Sequence, residues 1–507
     1  MSLTKEEVLK KIVNGESFEG VEIGDIDFSS QIFTVPVDLS GAKFLGHANF
    51  NSVVFKNKAE FNATSFNGMA NFEKTKFEIE TSFYYAIFNK TVNFSSAIFN
   101  NVNFSFATFI NAKFFSTSFR NATFFGSIFE GETYFSKAIF EGEAYFYSSH
   151  FNGIVFFNNS NFKNIANFTR AKFKNQTSFA SSIFNQKTIF NSSVFDKKAD
   201  FSKIAFYNDT HFFYVIFNNI ADFYLAIFFK TVHFENAKFI GATSFSNTVF
   251  EERSYFIGNI EKETKNLCFY NIVDWSYARF LKPKLIDFTS VDFSKCRLSF
   301  ADFSSVNLVD IKWQEKNNRK VISDEIEDKK SINYSIVENA YRRLKKNYEN
   351  SGDYSYAGDF HIGEMEMKRL AQIKFFRYLS LTSLYKYLSG YGEKFWRSII
   401  WLIGFIFIFS YISLFTGLKS NNISLENNMT DKVKYSFTLD YREVSLKELP
   451  NDFCTALTHS FEVIVLKRDK LFESNTNTGR ILEFFQIISV TILATLSILS
   501  LKRKFHR

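Results

Sequence analysis

The chain has 507 residues, of which 70 are Phe and only three are Pro, a composition unlike that of ordinary globular modules. A net charge of +8 over this length gives little support to nucleic-acid binding, so no nucleic-acid partner is expected. Its three Cys are far apart and form no CxxC pair, which indicates neither a disulfide framework nor a zinc site. No grouping typical of catalysis or cofactor binding is present, so we predict no enzyme, cofactor or metal site.

The first residues, MSLTKEEVLKKIVNG, contain no apolar signal segment. The first four hundred residues are therefore predicted to remain in the cytosol. Thr4 and Glu7 have the spacing of a capping box, which predicts a short helix. We expect residues 1–17 to cover the edge of the repeat region that follows.

A Phe recurs at every fifth or sixth residue from Phe44 to Phe256, with no position missed. A small side chain stands two residues before nearly every one of these Phe. A helix cannot use this pattern, because five residues turn about 500° and successive Phe would occupy all sides. Short extended segments joined by turns can accommodate this pattern, since the Phe and the small residue then both point inward. The spacing predicts a four-sided solenoid.

The later stretch IDFTSVDFSKCRLSFADFSSVNLVDIKW, residues 286–313, comes close to an A(D/N)Lxx consensus. It resembles the pentapeptide-repeat family, and the resemblance implies an all-β solenoid, a right-handed quadrilateral β-helix. The repeat extends back to Phe18, so we place this β-helix at residues 18–313. About 12 to 13 coils at ~4.8 Å each give a rod of about 60 Å. A distorted coil or an excursion is expected at residues 257–287.

The outward positions just before the Phe form apolar stripes in the later coils. One stripe has a member every 22 residues and consists of Ile183, Ala205, Ile227 and Val249. Val194 and Ile216 lie on the opposite side. Such a stripe is a candidate docking surface for a protein partner. The alternative is the ordinary β-propensity of a long exposed sheet face.

Residues 314–335 are charged and poor in apolar side chains, which predicts a linker. Apolar faces at helical spacing then predict a cytosolic helical hairpin over residues 336–394, with Gly352 ending the first helix and Asp353 capping the second. The segment YRRLKKNYENSGDYSYAGDFHIGEMEMKR is similar to the connector of bacterial pentapeptide-repeat proteins that end in a two-span, potassium-channel-like domain.

Two stretches, at about residues 398–418 and 484–501, are long and apolar enough to cross a bilayer. Basic residues precede the first and follow the second, so both termini are predicted to be cytosolic. We therefore expect a multi-pass protein of the plasma (inner) membrane. The resemblance implies that residues 395–507 form a two-span channel-like domain and that the chain assembles as a homo-oligomer, a tetramer.

Between the spans, residues 451–466 begin like a helix and are too short to cross the membrane, which predicts a re-entrant pore helix. Its polar side carries the pore-lining candidates Thr455, Thr458, His459 and Glu462. Glu462 is singled out, because an ionisable group at that depth is costly without a function. The alternative is an amphipathic helix in the outer interface, with Glu462 solvated.

A potassium filter needs a Gly-containing loop of backbone carbonyls, but the chain reads EVIVLKRDKLF at this point. The degenerate filter region consists of Val463, Ile464, Val465 and Leu466, followed by the outer-mouth charges Lys467, Arg468, Asp469 and Lys470. The GYG at residues 390–392 precedes the first span and is not a filter.

Three functions stay open at this point. The first is an oligomeric ion-channel-like protein with a cytosolic sensor or interaction domain and a non-potassium filter. The second is a membrane-anchored scaffold that binds protein partners and does not conduct. The third is a membrane-permeabilising effector.

Overall fold

The computed structural model describes residues 3–258, 268–326, 333–373, 375–420, 449–474 and 476–505. Two compact units divide the chain, Met1–Asn347 and Tyr348–Arg507. Part of the predicted excursion at residues 257–287 lies outside the described residues.

The first unit contains a parallel β-solenoid of about 13 turns, which confirms the predicted fold class. Each regular turn takes 22 residues and contributes two short strands to each of two parallel sheets, as the pairing of Phe162 with Phe184 illustrates. Between residues 76 and 123, neighbouring strands merge into longer ones, and from Phe94 onward the Phe spacing in this stretch is five throughout.

The strands of the first sheet are Glu22–Ile23, Ile26–Asp27, Lys43–Phe44, Ala48–Asn49, Ser65–Phe66, Ala70–Asn71, Ile87–Asn93, Thr108–Lys113, Ile128–Phe129, Thr133–Tyr134, His150–Phe151, Val155–Phe156, Lys172–Phe173, Thr177–Ser178, Val194–Phe195, Ala199–Asp200, Ile216–Phe217, Ala221–Asp222, Lys238–Phe239, Thr243–Ser244, Val273–Asp274 and Cys296–Arg297. Those of the second are Ile32–Phe33, Val37–Asp38, Val54–Phe55, Ala59–Glu60, Lys76–Ser82, Ile98–Asn103, Ser118–Thr123, Ile139–Phe140, Ala144–Tyr145, Asn161–Phe162, Ala166–Asn167, Ile183–Phe184, Thr188–Ile189, Ala205–Phe206, Thr210–His211, Ile227–Phe228, Val232–His233, Val249–Phe250, Ser254–Ile257, Arg279–Phe280, Ile286–Thr289 and Asn307–Val309.

The interior of the solenoid is a column of stacked Phe rings. Phe157 is fully buried, and its ring stacks on those of Phe135 and Phe179 in the neighbouring turns, with centroids 4.7 Å away in both cases. The small inward residues fill the space between rings, and several of their hydroxyls donate to the backbone. Ser160 Oγ, for example, donates to the carbonyl oxygen of Phe135 at 2.8 Å, whereas the buried Thr81 Oγ1 has no hydrogen-bond partner among the described residues. The repeat spacing therefore builds a continuous core.

Helix α1, Lys5–Asn14, precedes the first turn. The capping box that the sequence predicts is formed, since the amide of Glu7 donates to Thr4 Oγ1 at 3.4 Å and the amide of Thr4 donates to Glu7 Oε2 at 2.7 Å. Val8 and Ile12 are the buried residues of the helix.

Residues 314–326, predicted as part of a linker, are folded. Gln314–Lys316 and Arg319–Val321 form an antiparallel hairpin, and a 3₁₀ turn follows at Ser323–Glu325. The buried Asp324 accepts hydrogen bonds from the amides of Leu298 at 3.0 Å and Ser299 at 3.2 Å. These amides lie in the last turn of the solenoid, so the charged segment covers the end of the fold.

Helix α2, Tyr334–Ser351, also covers this end of the solenoid. Asn347 Nδ2 donates to the carbonyl oxygens of Phe303 and Val306, both at 2.7 Å, and Arg343 Nη1 donates to that of Ala301 at 2.8 Å. Since buried carbonyls need donors, these two polar side chains stabilise the last turn.

The described part of the second unit contains α3 at Tyr354–Leu370, α4 at Phe376–Leu379, α5 at Leu381–Ser389, α6 at Phe395–Thr416, α7 at Leu449–Ile464 and α8 at Asn477–Phe505, with a short antiparallel pairing of Leu418–Ser420 and Phe472–Ser474. Gly352 has a φ of +81° and Asp353 accepts from the amide of Tyr356 at 3.2 Å. The predicted stop and cap between α2 and α3 are thus present.

Candidate functional site

Helices α6 and α8 bury several polar side chains beside apolar ones and expose many large apolar side chains. Their buried polar residues are Ser398, Ser410, Ser413, Gln486, Ser497 and Ser500. Their exposed apolar residues include Ile400, Ile403, Ile408, Ile488, Ile492 and Ile498. Helices packed in water show the reverse pattern, whereas lipid-facing helices joined through small polar residues show this one. Both helices are long and apolar enough to cross a membrane.

Helix α7 packs between α6 and α8 and reaches only part of the way along them. Ser410 Oγ donates to Ser460 Oγ at 2.9 Å, and Gln486 Nε2 donates to the Ser460 carbonyl oxygen at 3.2 Å. Ser410 is six residues before the end of α6 and Gln486 is nine residues after the start of α8. At 1.5 Å per residue, these contacts lie about 9 and 14 Å from the helix ends.

The chain enters and leaves this bundle at the same end of α6. Leu449, at the start of α7, packs on the cluster that contains Leu414 and Leu418. After α7 the chain returns to pair with the residues that follow α6, and Thr476 Oγ1 donates to the Thr416 carbonyl oxygen at 3.0 Å. With 16 residues, α7 is also too short to cross a bilayer. In the described structure, α7 is thus reached and left at one end of the pair formed by α6 and α8.

Two of the four pore-lining candidates are buried within one chain. His459 is 1% exposed, and its Nδ1 lies 2.9 Å from the carbonyl oxygen of Phe472. Its Nε2 lies 3.3 Å from Glu483 Oε1, without the alignment of a hydrogen bond. Glu462 is 7% exposed and accepts from Lys467 Nζ and from the amide of Leu471, both at 2.8 Å. Both residues therefore hold the segment that returns from α7.

The other two candidates, Thr455 and Thr458, lie toward the opposite side of α7. Their hydroxyls donate to carbonyl oxygens one turn back, at 3.1 and 2.9 Å. Thr458 is exposed, as are Cys454, Phe461 and Val465 at helical spacing. We refer to these four residues as the outer face of α7.

The degenerate filter region contains the C-terminal end of α7. The carbonyl oxygens of residues 461, 462 and 463 accept the amides of Val465, Lys467 and Leu466, respectively. Leu466 has a φ of +54°, the left-handed conformation that commonly ends helices, here without Gly. Val463 is buried and Ile464 half-buried, whereas Val465 and Leu466 are exposed. These carbonyls are occupied by local hydrogen bonds.

The outer-mouth charges are divided between ion pairs and the surface. Lys467 pairs with Glu462, and Lys470 Nζ donates to Glu483 Oε2 at 2.8 Å. Arg468 and Asp469 are exposed. Sequence reasoning missed Glu483, because it lies outside the segment predicted as a pore and only the fold brings it to His459 and Lys470.

The GYG at residues 390–392 forms the turn between α5 and α6. Gly390, Tyr391 and Gly392 have φ of +57°, +64° and +77°, so three consecutive residues are left-handed. Two of the three are Gly, which adopts this conformation without steric cost. This turn is not a selectivity filter. It places Tyr391 so that its hydroxyl donates to Glu366 Oε2 on α3 at 2.7 Å.

Glu366 joins three elements ahead of the first apolar helix. Besides Tyr391 it accepts from Arg369 Nη2 at 2.5 Å and from Lys386 Nζ of α5 at 3.0 Å. Burial opposes ionisation of this carboxyl, but the donors Arg369, Tyr391 and Lys386 outweigh it and lower its pKa from 4.5 to about 2. Sequence reasoning did not identify this cluster, since Lys386 and Tyr391 are 20 and 25 residues from Glu366 in the chain.

We expect Glu366→Gln to raise hydrogen exchange of α5 and the GYG turn about fivefold to tenfold at neutral pH, which corresponds to about 1 kcal/mol after solvent screening. Because the pKa is lowered, the stabilisation is complete above pH 4.5 and is lost as the pH falls toward about 2. Exchange rates corrected for intrinsic pH effects measure this. Lys368→Gln, on the exposed side of the same helix, is the control, and an equal effect there would contradict the prediction.

The predicted docking stripe is a continuous column on the solenoid. Ile183 pairs with Ala205, Ala205 with Ile227, and Ile227 with Val249, in register in the second sheet. Ile183 is 38% exposed and the other three are half-buried. Binding at this stripe stays a prediction.

Comparison with known families supports the solenoid. Two family models match, "Pentapeptide repeats (9 copies)" over residues 50–98 and 135–183, and "Pentapeptide repeats (8 copies)" over residues 92–131. No curated protein matches the chain. A solved structure that matches is that of HetL, a pentapeptide repeat protein involved in heterocyst differentiation regulation from the cyanobacterium Nostoc sp.. It is 13% identical, covers 63% of this chain and 100% of its own, and has a TM-score of 0.18.

The matched residues lie within the stacked turns, and the Phe of the repeats are the inward side chains that form the core. The N-terminal solenoid of this chain is therefore a pentapeptide-repeat domain.

Proposed function

We propose that this chain is an integral membrane protein whose C-terminal helices form an ion-conducting pore when several copies assemble. The pentapeptide-repeat domain acts on the cytosolic side as a sensor or docking domain. The observation that carries the proposal is the short α7, which enters and returns between two apolar helices and is bonded to their buried polar side chains. A short helix that enters and returns at this depth brings non-helical backbone into the membrane, which is tolerated where it lines a water path or is buried in protein.

The charges flanking the apolar helices support the orientation. Lys394 and Arg397 stand at the start of α6, and Lys502 to Lys504 stand near the end of α8. Basic residues of this kind remain on the cytosolic side, so both termini and the solenoid are assigned to the cytosol.

The outer face of α7 is the surface that we assign to the pore, with Thr458 as its polar contact to ions. Its four residues are exposed, whereas His459 and Glu462 are engaged in holding the return segment. Thr458 lies one turn from Cys454 on the same face. Because Cys454 is exposed, a thiol reagent can modify this surface.

A second candidate function is the non-conducting scaffold. The observation that favours it is the engagement of the carbonyls of residues 461–463 in a helix-ending turn, together with the ion pairs of Glu462 and Glu483. In this alternative α7 only fills the space between the two helices, and binding is carried by the solenoid.

Ion flux from liposomes that contain the full chain tests the proposal, with a charged thiol reagent as the probe. Cys268 and Cys296 are buried, and burial raises the pKa of both thiols, so neither reacts readily. We expect the reagent to modify Cys454 and to change the flux severalfold. Cys454→Ser, the control, should conduct and lose this sensitivity.

Flux that the reagent leaves unchanged would contradict a pore lined by the outer face of α7. Absence of flux from a folded oligomer, also after addition of cell extract to supply a gating partner, would favour the scaffold.

A further inference from the structure

The two short helices that precede the first apolar helix, α4 and α5, expose large apolar side chains. Their exposed apolar side chains, between 52% and 83% accessible, are Tyr378, Leu379, Leu381, Leu384 and Tyr387. The residues of α5 that are buried are Ser383 and Ser389. A helix that lies on a protein in water buries its leucines and exposes its serines, so this face is built for a different surrounding.

The buried serines explain why the apolar face points outward. Ser380 caps α5 by accepting from the amide of Ser383 at 3.3 Å, and the Ser383 hydroxyl donates to the carbonyl oxygen of Arg377. At the other end, the amide of Gly392 donates to Ser389 Oγ at 2.9 Å. These bonds fix the rotation of α5, and the face with Leu381, Leu384 and Tyr387 is left without cover in the described chain.

The charge of this segment is complementary to an anionic surface. Residues 375–397 contain the basic residues Arg377, Lys386, Lys394 and Arg397 and the single acidic residue Glu393. Basic residues near an anionic bilayer contribute favourably to binding. Lys386 also contacts Glu366, so its charge there is partly balanced.

Continuity with α6 selects a bilayer over a protein as the occupant of this face. Helix α5 ends six residues before α6 begins, and Trp396, the second residue of α6, is 67% exposed. Tyr and Trp together with basic residues beside an apolar span are typical of the membrane–water interface. An apolar face with a basic rim of this kind is typical of helices that lie in the headgroup region.

We propose that α4 and α5 lie in the headgroup region of the cytosolic leaflet, with the apolar face against the acyl chains and the basic residues against anionic phospholipid headgroups. The inference rests on the proposed membrane insertion of α6. It adds a surface-bound segment to the two spans, and through Lys386 and Glu366 this segment is joined directly to α3.

Depth-dependent fluorescence quenching tests this placement. The full chain with Cys454→Ser is given one new cysteine, at Leu384→Cys, Ile408→Cys or Val309→Cys, and labelled with an environment-sensitive fluorophore. Leu381→Cys replaces Leu384→Cys if the latter does not fold. The vesicles consist of phosphatidylcholine with and without phosphatidylglycerol, and carry spin labels either near the headgroup or deep in the acyl chain.

We expect the label at residue 384 to be quenched severalfold more by the shallow than by the deep spin label, and more strongly with phosphatidylglycerol. The label at residue 408, in the middle of α6, should be quenched by the deep one. The label at residue 309, on the solenoid, should be quenched by neither.

A label at residue 384 that escapes both quenchers while residue 408 is reached would overturn the inference and leave the spans intact. It would point to a protein on this face. A label at residue 408 that escapes both would instead contradict the proposed membrane insertion. Equal quenching at residue 384 in neutral and anionic vesicles would overturn the assigned role of the headgroups.

Discussion

Replacing Phe157 with Ala is expected to lower the local free energy of unfolding of the solenoid by about 3–5 kcal/mol. The ring is fully buried and stacks at 4.7 Å on Phe135 and on Phe179, so its removal leaves a cavity between three turns. Turns of a solenoid contact only their neighbours, so the loss should be confined to the adjacent turns.

Hydrogen exchange of the amides around this ring measures the effect. The amide of Phe157 bonds to the carbonyl oxygen of Ser178, and the amide of Phe135 bonds to that of Phe156, both at 2.7 Å. Both should exchange more than a hundredfold faster in the variant. Phe156→Ala is the matched control, because this outward ring is half-buried and stacks on Tyr134 at 5.3 Å. Similar losses in the two variants would contradict the stacked-core interpretation.

Replacing Glu325 with Ala is expected to destabilise the C-terminal end of the solenoid by about 3–5 kcal/mol. The buried carboxylate accepts from Arg319 Nη2 at 2.7 and 2.5 Å and from Tyr341 OH at 2.5 Å. Arg319 is only 10% exposed and Tyr341 is fully buried. Without Glu325, the buried charge of Arg319 loses its carboxylate and the buried hydroxyl of Tyr341 loses its acceptor, which costs more than the pair itself contributes.

The amides of Leu298 and Ser299 report on this loss, since they bond to the neighbouring Asp324. We expect their exchange to rise about a hundredfold. Glu315→Ala removes an exposed pair with Lys320 in the same hairpin and should change little. The double variant Arg319→Met with Glu325→Leu should recover much of the stability, and failure to do so would assign the loss to packing instead of charge.

Lowering the pH should reproduce part of the destabilisation that Glu325→Ala causes. Burial raises the pKa of this carboxyl, but the charge of Arg319 and the hydroxyl of Tyr341 outweigh burial, and the pKa lies below its ordinary value. The stabilisation is therefore complete above the ordinary pKa and is lost as the pH falls through the lowered one.

The Phe spacing predicted the solenoid and its inward residues, and it placed the residues of the docking stripe in one column on one side. It could do so because few backbone geometries repeat every five or six residues and bury both a Phe and the small residue two positions before it. The turn at Gly352 and the cap at Asp353 were also readable, since both act through local backbone bonds. In contrast, residues 314–326 were predicted as part of a linker from their charge, and their capping role through Asp324 depends on amides 25 residues earlier in the chain.

For the candidate site, the sequence determined that two apolar helices flank a shorter one with polar and apolar faces, because length and composition limit what a helix can do in a bilayer. Only the tertiary structure decided which face of α7 is buried. It placed His459 and Glu462 toward the return segment and left Thr458 exposed, since Ser410 and Gln486 on the other helices set the rotation of α7. The outward leucines of α5 were decided in the same way, by serine hydrogen bonds that no periodicity reveals.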